Sequence, residues 1–206
     1  MTISVMHWRK NQSDDPFYKL AKKEGYRSRA IFKLIEIDDK YKLIKPNMNI
    51  LDLGASPGGW SQYAVKKLKN TGKIVAIDLL PMDPIPSVDF ILGDITDMIV
   101  ESKIDECFNG EQLSLVMSDI APNIMGVRDV DTLKSISLCE VALEIALAKL
   151  NRNGSLVLKL FQGVGFEDFL SLVRSNFKKV NIFKPKSSRT DSREVYIIAS
   201  NLNLIN

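Results

Sequence analysis

The sequence predicts an α/β fold in which a mostly parallel sheet of about seven strands carries helices on both faces. First, short apolar runs typical of β-strands alternate with stretches of helical periodicity, as they do in parallel sheets. Second, only a polar linker with a proline, Lys184 to Arg193, joins the last two runs, so these strands should pair antiparallel as a hairpin. Third, 206 residues with 45% hydrophobic content suffice for one packed core but not for two ordinary domains.

The expected strands follow from the apolar runs, in chain order. They are Met48 to Gly54, Lys73 to Asp78, Val88 to Asp94, Leu113 to Asp119, Ser155 to Phe161, Lys179 to Phe183 and Glu194 to Ser200. Helical periodicity between these strands predicts helices at Trp60 to Leu68, Thr96 to Cys107, Asp131 to Leu150 and Phe166 to Phe177.

Two more helices are predicted ahead of the first strand, at Asp14 to Tyr26 and Arg29 to Leu43. In the second of them Ala30, Leu34 and Ile37 lie near helical spacing on an apolar face, which should pack on the sheet. We therefore expect residues 1–206 to form a single domain. Residues 1–45 would be a basic helical extension of it, and residues 46–206 its core.

The composition limits the possible functions. The two cysteines, Cys107 and Cys139, both fall in predicted helices, so we expect neither a disulfide framework nor a metal cluster. A reducing, cytoplasmic location fits this cysteine content. No early apolar run resembles a signal peptide and no stretch approaches a membrane span, so we expect a protein that is not exported and binds no membrane.

Positive charge is concentrated near the start of the chain, although the net charge is only +3. Fifteen consecutive positions hold a single acid, Glu24, and six basic residues: Lys19, Lys22, Lys23, Arg27, Arg29 and Lys33. This basic cluster is either a solvated helix face or an electrostatic footprint for a polyanion such as RNA. The cluster alone leaves both interpretations open.

The segment from Leu51 to Trp60 predicts a nucleotide-like ligand. It is an apolar strand that runs into a turn of small residues and then into a helix, the usual ligand site of an open α/β sheet. A dinucleotide site would have the spacing G-x-G-x-x-G, whereas this turn reads G-x-x-x-G-G from Gly54. Pro57 also removes an amide that a pyrophosphate would use. A tight turn without a ligand remains an alternative.

Acids at the ends of the next two strands favour an adenosine-containing ligand. Asp78 ends the second strand, where a carboxylate can accept hydrogen bonds from both hydroxyls of a ribose. Asp94 ends the third strand, from which it or its neighbours could reach an adenine amino group. Solvated acids at strand ends are the alternative interpretation of each residue alone.

Three further charged residues suggest a catalytic site. Asp119 ends the fourth strand, and Lys159 lies within an apolar run, where a charge is costly unless it has a partner. Desolvation would favour the neutral amine of Lys159, whereas a neighbouring carboxylate such as Asp119 would favour the ammonium. Glu194 opens the last strand and could approach the same pocket, although an ordinary acid at a strand start explains it equally well.

Taken together, these motifs resemble the FtsJ-type ribosomal RNA 2′-O-methyltransferases, over about Pro16 to Ser200. The matching segments are Arg27 to Leu34, Leu51 to Tyr63, Asp78 to Met82, Ser118 to Asn123 and Ser192 to Tyr196. The resemblance is greatest to the bacterial members that methylate a uridine ribose in 23S rRNA of the large ribosomal subunit. It implies a Rossmann-like fold and S-adenosylmethionine as the methyl donor.

The resemblance also implies the site residues. The family's catalytic tetrad matches Lys33, Asp119, Lys159 and Glu194, and its donor contacts match Gly58, Trp60, Asp78, Asp94 and Asp119. Lys159 would be the base and Asp119 would orient it, while Lys33 and Glu194 would position the ribose. No metal is implied, and we expect a monomer whose partner is 23S rRNA in the large subunit. The alternatives are a tRNA or mRNA-cap ribose as substrate, or a non-catalytic rRNA-binding assembly factor.

Overall fold

The computed structural model describes residues 15–203, in which seven strands form one sheet. The strands are β1 (Asn49–Leu53), β2 (Lys73–Asp78), β3 (Val88–Leu92), β4 (Leu113–Ser118), β5 (Leu150–Phe161), β6 (Phe177–Phe183) and β7 (Glu194–Leu202). Their spatial order is β3-β2-β1-β4-β5-β7-β6. Strands β1 to β5 pair in parallel, whereas β7 runs antiparallel to both of its neighbours. The predicted mostly parallel sheet with an antiparallel C-terminal pair is confirmed.

Helices cover both faces of this sheet. They are α1 (Pro16–Lys23), α2 (Ile31–Tyr41), α3 (Gly59–Leu68), α4 (Met98–Phe108), α5 (Arg128–Lys149) and α6 (Phe166–Asn176). One apolar cluster joins α1, α2 and α3 to one face, and a second joins α4, α5 and α6 to the other. None of the helices between residues 15 and 203 is long and apolar enough to cross a membrane.

Side-chain alternation along the strands produces these two clusters. Leu51 and Leu53 of β1 face the cluster with α4 to α6, whereas Ile50 faces the cluster with α1 to α3. Leu34 and Ile37 of α2 join Ile50 in the cluster with α1 to α3, so the predicted apolar face of α2 packs on the sheet.

The start of α1 differs slightly from its prediction. The Asp15 carboxylate accepts hydrogen bonds from the Phe17 and Tyr18 amides, so Asp15 is the N-cap and the helix begins at Pro16. Asp14, where the prediction placed the start of the helix, lies outside the described residues. So do residues 1–13 of the predicted N-terminal extension.

A buried carboxylate fixes α2 against α3. Asp38 accepts hydrogen bonds from the Ile44 amide and the Tyr63 hydroxyl, each at 2.8 Å, and Lys67 Nζ lies 2.8 Å from the same carboxylate. Burial alone would raise the pKa of Asp38, but the lysine and the two hydrogen-bond donors outweigh burial and lower it. Asp38 is therefore an ionised anchor of the α1 to α3 face.

The strand order determines where a ligand can bind. The chain moves outward from β1 through β2 to β3, and then returns to place β4 on the other side of β1. Ligands of open α/β sheets bind at such a switch point, outside the carboxyl ends of the strands. Because β7 is antiparallel, its first residue lies at this same edge, where Glu194 pairs with Phe161 and Tyr196 with Lys159.

Candidate active site

The turn after β1 depends on glycine at two positions. Gly54 has φ +72°, and a Cβ there would overlap the Ile120 side chain. Gly58 has φ +107°, and a Cβ there would lie 2.6 Å from Ile85 Cδ1 and 2.8 Å from Met82 Sδ. Both residues therefore combine a left-handed backbone with close packing that any larger residue would disturb. This fit holds the turn between the loops that follow β2 and β4.

A cavity of about 370 Å³ opens beside this turn, within the size range of small-ligand sites. It brings together three of the residues that were predicted to contact the methyl donor: Asp78, Asp94 and Asp119. Apolar side chains form much of the remaining wall: Ile77, Leu79, Ile95, Ile120 and Leu138. The combination of carboxylates and apolar walls suits a ligand with both a ribose and an aromatic base.

Hydrogen bonds from nearby residues hold Asp78 and Asp94 in place. Asp78 accepts from the Ser56 amide of the turn and from the Leu80 amide, each at 2.8 Å. Asp94 accepts from the amide and the hydroxyl of Thr96 through one oxygen, and these bonds lower its pKa. A carboxylate has about four acceptor positions, so both acids retain free acceptor capacity.

The other two residues predicted to contact the methyl donor, Trp60 and Gly58, lie outside the lining of this cavity. Trp60 is buried, and its indole nitrogen donates to the Ala30 carbonyl at 2.9 Å. With Gly59 and Asp119 it lines a smaller recess of about 80 Å³ next to the turn. Gly58 contributes to neither lining and forms the turn itself.

A buried acid below the turn was missed by the sequence prediction. Asp52 of β1 accepts a 2.6 Å hydrogen bond from the Ser61 hydroxyl of α3. Burial raises its pKa to about 7, assisted by the nearby Asp119 and Asp78 carboxylates. An acid within an apolar strand is a signal in the sequence, the same signal that singled out Lys159.

The loop after β2 is fastened to the turn by Arg27. Its guanidinium donates to the carbonyl oxygens of Asp83, Pro84 and Pro57, at 2.6, 2.8 and 3.3 Å. Because a guanidinium has five donors in a planar fork, one side chain can hold both segments together. Arg27 is therefore a structural clamp between the turn and the loop after β2 rather than a free surface charge.

Lys159 and Asp119 form the centre of the site. Lys159 is only 7% exposed, and its ammonium donates to the Asp119 backbone carbonyl and lies 3.1 Å from Asp119 Oδ1. The Tyr196 hydroxyl donates to the same carboxylate oxygen at 2.6 Å. Burial would raise the pKa of Asp119, but Lys159, Lys33 and the Tyr196 hydrogen bond outweigh burial and lower it. Asp119 is therefore an ionised partner of Lys159.

Lys33 and Glu194 form the second pair, with 2.7 Å between Nζ and Oε1. The Ser188 hydroxyl donates to the same Glu194 oxygen at 2.7 Å. Burial would raise the pKa of Glu194, but Lys33 and Ser188 outweigh burial and lower it. The structure thus brings together all four residues of the predicted tetrad.

The linker that carries Ser188 is held in place by helix α2. Both oxygens of Glu36 accept from consecutive linker amides, Lys186 at 2.7 Å and Ser187 at 2.8 Å. Arg29 donates to the Ser187 carbonyl and pairs with Asp15. The beginning of β7 is therefore docked on the helix that provides Lys33.

These contacts divide the basic cluster. Arg27, Arg29 and Lys33 are engaged in the contacts described above, whereas Lys19, Lys22 and Lys23 are exposed on α1. Half of the basic cluster therefore has a structural role that the sequence did not predict. Both interpretations, a solvated helix face and a footprint for RNA, stay open for the three exposed lysines.

A second cavity, of about 290 Å³, adjoins the first at Ala121. Two arginines, Arg29 and Arg189, line it, and so do both lysines of the tetrad together with Glu194. The Lys159–Asp119 pair therefore stands at the junction of an acidic cavity and a basic one. Among residues 15–203, no three His, Cys, Asp or Glu side chains are grouped so that they could hold a metal ion.

The sheet order and the paired cavities at its carboxyl edge define the class of protein, a Rossmann-like methyltransferase. A crystal structure described as a ribosomal RNA methyltransferase of Plasmodium falciparum superimposes with a TM-score of 0.79 at 34% identity, covering 86% of this chain and 98% of that one. The model of the FtsJ-like methyltransferase family matches residues 26–202. The chain belongs to this family.

Bacterial relatives are similar over almost the whole chain. A protein of Francisella tularensis subsp. holarctica is 49% identical over 197 residues, 96% of each chain. One of Pseudomonas fluorescens is 48% identical over 192 residues, 93% of this chain and 92% of its own. Both are named ribosomal RNA large subunit methyltransferase E.

Proposed function

We propose that this enzyme transfers a methyl group from S-adenosylmethionine to the 2′-hydroxyl of a uridine ribose in 23S rRNA of the large ribosomal subunit. The observation that carries the proposal is the Lys159–Asp119 pair, 3.1 Å between charged atoms, at the junction of the two cavities. A proton acceptor at that junction can serve a hydroxyl held in the basic cavity.

The residues of the acidic cavity fit the proposed donor. Asp78 and Asp94 have free acceptor capacity for ribose hydroxyls and an adenine amino group, and Ile95 and Leu138 offer apolar walls for the base. Gly58 and Trp60 would support the turn against which the donor lies. When bound, the donor supplies a methyl group made electrophilic by its sulfonium sulfur.

The tetrad residues have separate tasks in the proposed reaction. Lys159 Nζ accepts the proton of the ribose hydroxyl while that oxygen takes the methyl group, a contribution of typically about a hundredfold or more. Asp119 holds Nζ in place, and Lys33 and Glu194 position the ribose. Alignment of the two reactants supplies much of the remaining rate enhancement, several kcal/mol in effective-concentration terms.

The relatives support ribosomal RNA as the substrate. At 48–49% identity over more than nine-tenths of the chain, they carry a name that specifies the large-subunit RNA. Such a substrate is consistent with a cytoplasmic enzyme, and we propose that it acts as a monomer. A tRNA or mRNA-cap ribose and a non-catalytic assembly role are the competing hypotheses.

The variant Lys159→Ala tests the assignment of the base. We expect methyl transfer to undermethylated large subunits to fall at least about a hundredfold, while donor affinity changes little. The matched control is Lys149→Ala, since Lys149 is also largely buried and ion-paired, to Asp105 at 2.6 Å, but lies at the far end of α5. Full activity of Lys159→Ala would remove Lys159 from the mechanism.

Mapping of the modified ribose separates the competing substrates. Subunits from a deletion strain should lack one 2′-O-methyluridine in 23S rRNA, and the purified enzyme with labelled donor should restore it. An unchanged large-subunit methylation pattern would contradict the proposal and favour tRNA or cap RNA. Absence of turnover on every RNA would favour the non-catalytic alternative.

A further inference from the structure

Asp52 is a buried carboxyl group without a cation to balance its charge. It is only 1% exposed, and its hydrogen-bond donor is the neutral Ser61 hydroxyl of α3, at 2.6 Å. No lysine or arginine among residues 15–203 forms an ion pair with Asp52. Because an unpaired buried charge is costly, this environment favours the neutral carboxylic acid.

The strand register places Asp52 directly beneath the acidic cavity. Asp52 pairs with Ala76 of β2 and with Met117 of β4. The residues two positions beyond these three all line the cavity: Gly54, Asp78 and Asp119. Since side chains alternate between the two faces of a strand, a step of two residues is one layer of side chains on the same face. Asp52 therefore lies one layer below three residues of the cavity wall.

The ionisable neighbours of Asp52 on β2 and β4 are acids. Burial raises the pKa of Asp52 to about 7, against the Ser61 hydrogen bond and with the help of the Asp119 and Asp78 carboxylates. The lysines and tyrosines on the surrounding elements have other partners: Asp119 for Lys159 and Tyr196, Glu194 for Lys33, Asp38 for Lys67 and Tyr63, and the Tyr26 hydroxyl for Lys66. A cation that enters the cavity would shift Asp52 towards its ionised form.

The proposed reaction removes such a cation from the cavity. The donor carries a positively charged sulfonium sulfur. When the methyl carbon bonds to the ribose oxygen, the electron pair of the broken carbon–sulfur bond stays on sulfur and the hydroxyl proton passes to Lys159. The product, S-adenosylhomocysteine, is therefore a thioether with one positive charge fewer than the donor. A carboxyl group in the low-dielectric interior below the cavity interacts differently with the two ligands.

We propose that Asp52 distinguishes the charged donor from the uncharged thioether product: it is ionised while the donor occupies the cavity, and it takes up a proton from solvent when the product takes the donor's place. Asp52 thereby favours binding of the donor over binding of the product. It acts through its charge from below the cavity wall, so it is a specificity-determining residue rather than a catalytic one. The proposal rests on the proposed function, because it takes S-adenosylmethionine as the donor.

The test is the affinity of the purified enzyme for each ligand, measured by calorimetry from about pH 5.5 to about pH 7.5. Donor binding favours ionised Asp52, so it should release a proton, and donor affinity should rise with pH until Asp52 is ionised in the free enzyme as well. Product affinity should lack this rise. The donor-to-product affinity ratio should therefore increase about tenfold over the range, which corresponds to a coupling of about one pKa unit.

Two variants separate the charge of Asp52 from its packing. Asp52→Asn should abolish the increase of the ratio, because the amide has the shape of the carboxylic acid but cannot ionise. Ser61→Ala should keep the increase and move it to higher pH, since the ionised carboxylate loses its hydrogen bond. The matched control is Asp38→Asn, which alters another fully buried carboxylate on the same face of the sheet, outside the cavity lining, and should keep the wild-type ratio. The ligands' own titrating groups are the same for every variant.

A pH-independent ratio in the wild type would overturn the role assigned to Asp52, and so would an equal increase in Asp52→Asn. Equal losses of affinity for both ligands at every pH would also overturn it, since they would show a purely structural role. No RNA is present in these measurements. Failure of the enzyme to methylate large subunits would therefore contradict the proposed substrate without changing this result, whereas a wild type that binds no donor contradicts both proposals.

Discussion

Replacement of Tyr196 by phenylalanine would remove a single oxygen from the centre of the site. That hydroxyl donates to Asp119 Oδ1 at 2.6 Å from a fully buried position. A hydrogen bond to a charged group contributes roughly 1.5–3 kcal/mol, and each 1.4 kcal/mol corresponds to a factor of about ten. We therefore expect kcat/KM for the RNA substrate to fall by roughly 10- to 100-fold in Tyr196→Phe.

The pH dependence provides a second measure of the same change. The Tyr196 hydroxyl is among the groups that lower the pKa of Asp119 against the effect of burial, so its removal should raise that pKa. Asp119 acts as the carboxylate, hence the acid limb of the rate profile should move to higher pH in the variant.

The assay is transfer of labelled methyl groups to large subunits from neutral pH down through the ordinary aspartate pKa of about 4. The matched control is Tyr63→Phe, which removes another buried hydroxyl from an aspartate, Asp38, at 2.8 Å. This control should lower stability and leave kcat/KM unchanged. If both variants show the wild-type rate and the wild-type profile, the hydroxyl of Tyr196 does not support catalysis.

Two further predictions concern donor binding and stability. Arg27→Lys should weaken S-adenosylmethionine binding by roughly ten- to thirtyfold, measured by calorimetry, because it removes two hydrogen bonds of about 1 kcal/mol each from the loop after β2. An unchanged affinity, equal to that of the exposed control Arg174→Lys, would contradict the clamp. Asp38→Ala should lower the free energy of unfolding by about 3 kcal/mol in denaturant titrations, since the buried Ile44 amide and Tyr63 hydroxyl lose their acceptor. Because the folded pKa of Asp38 is lowered, its contribution is complete above the unfolded value of about 4 and is lost as the pH falls through the folded pKa. The variant should therefore lose less stability than the wild type on acidification, and parallel losses would contradict this account.

Much of the fold could be predicted because buried strands require apolar side chains. Strand β2 has its predicted limits, and β1, β3 and β4 differ from prediction by a residue or two at their ends. The start of β5 was predicted at Ser155 but lies at Leu150. Leu150 pairs with Leu113, but the pairing with β4 then shifts register and resumes only at Ser155. The polar residues between them, Asn151, Arg152 and Asn153, are not buried, so no apolar pattern predicts this part of the strand.

The site was predictable where a charge interrupts an apolar run. Lys159 gave that signal and Asp119 was identified as the acid that ends β4, and the structure brings them to 3.1 Å. Tyr196 gave no signal, because a tyrosine in a buried apolar strand resembles an ordinary core residue. Its role depends on the pairing of β7 with β5, which sets Tyr196 opposite Lys159 and is a property of the sheet rather than of the local sequence.

The interior position of β7 affects how the sheet is completed when the protein is synthesised. This strand leaves the ribosome after the other six, yet it must enter the sheet between β5 and β6. Until it does so, β5 presents an open edge, the kind of surface that invites association with other chains. The nascent protein at that stage has Asp78 and Asp94 but lacks Glu194 and Tyr196, so insertion of the last strand both closes the sheet and completes the proposed active site.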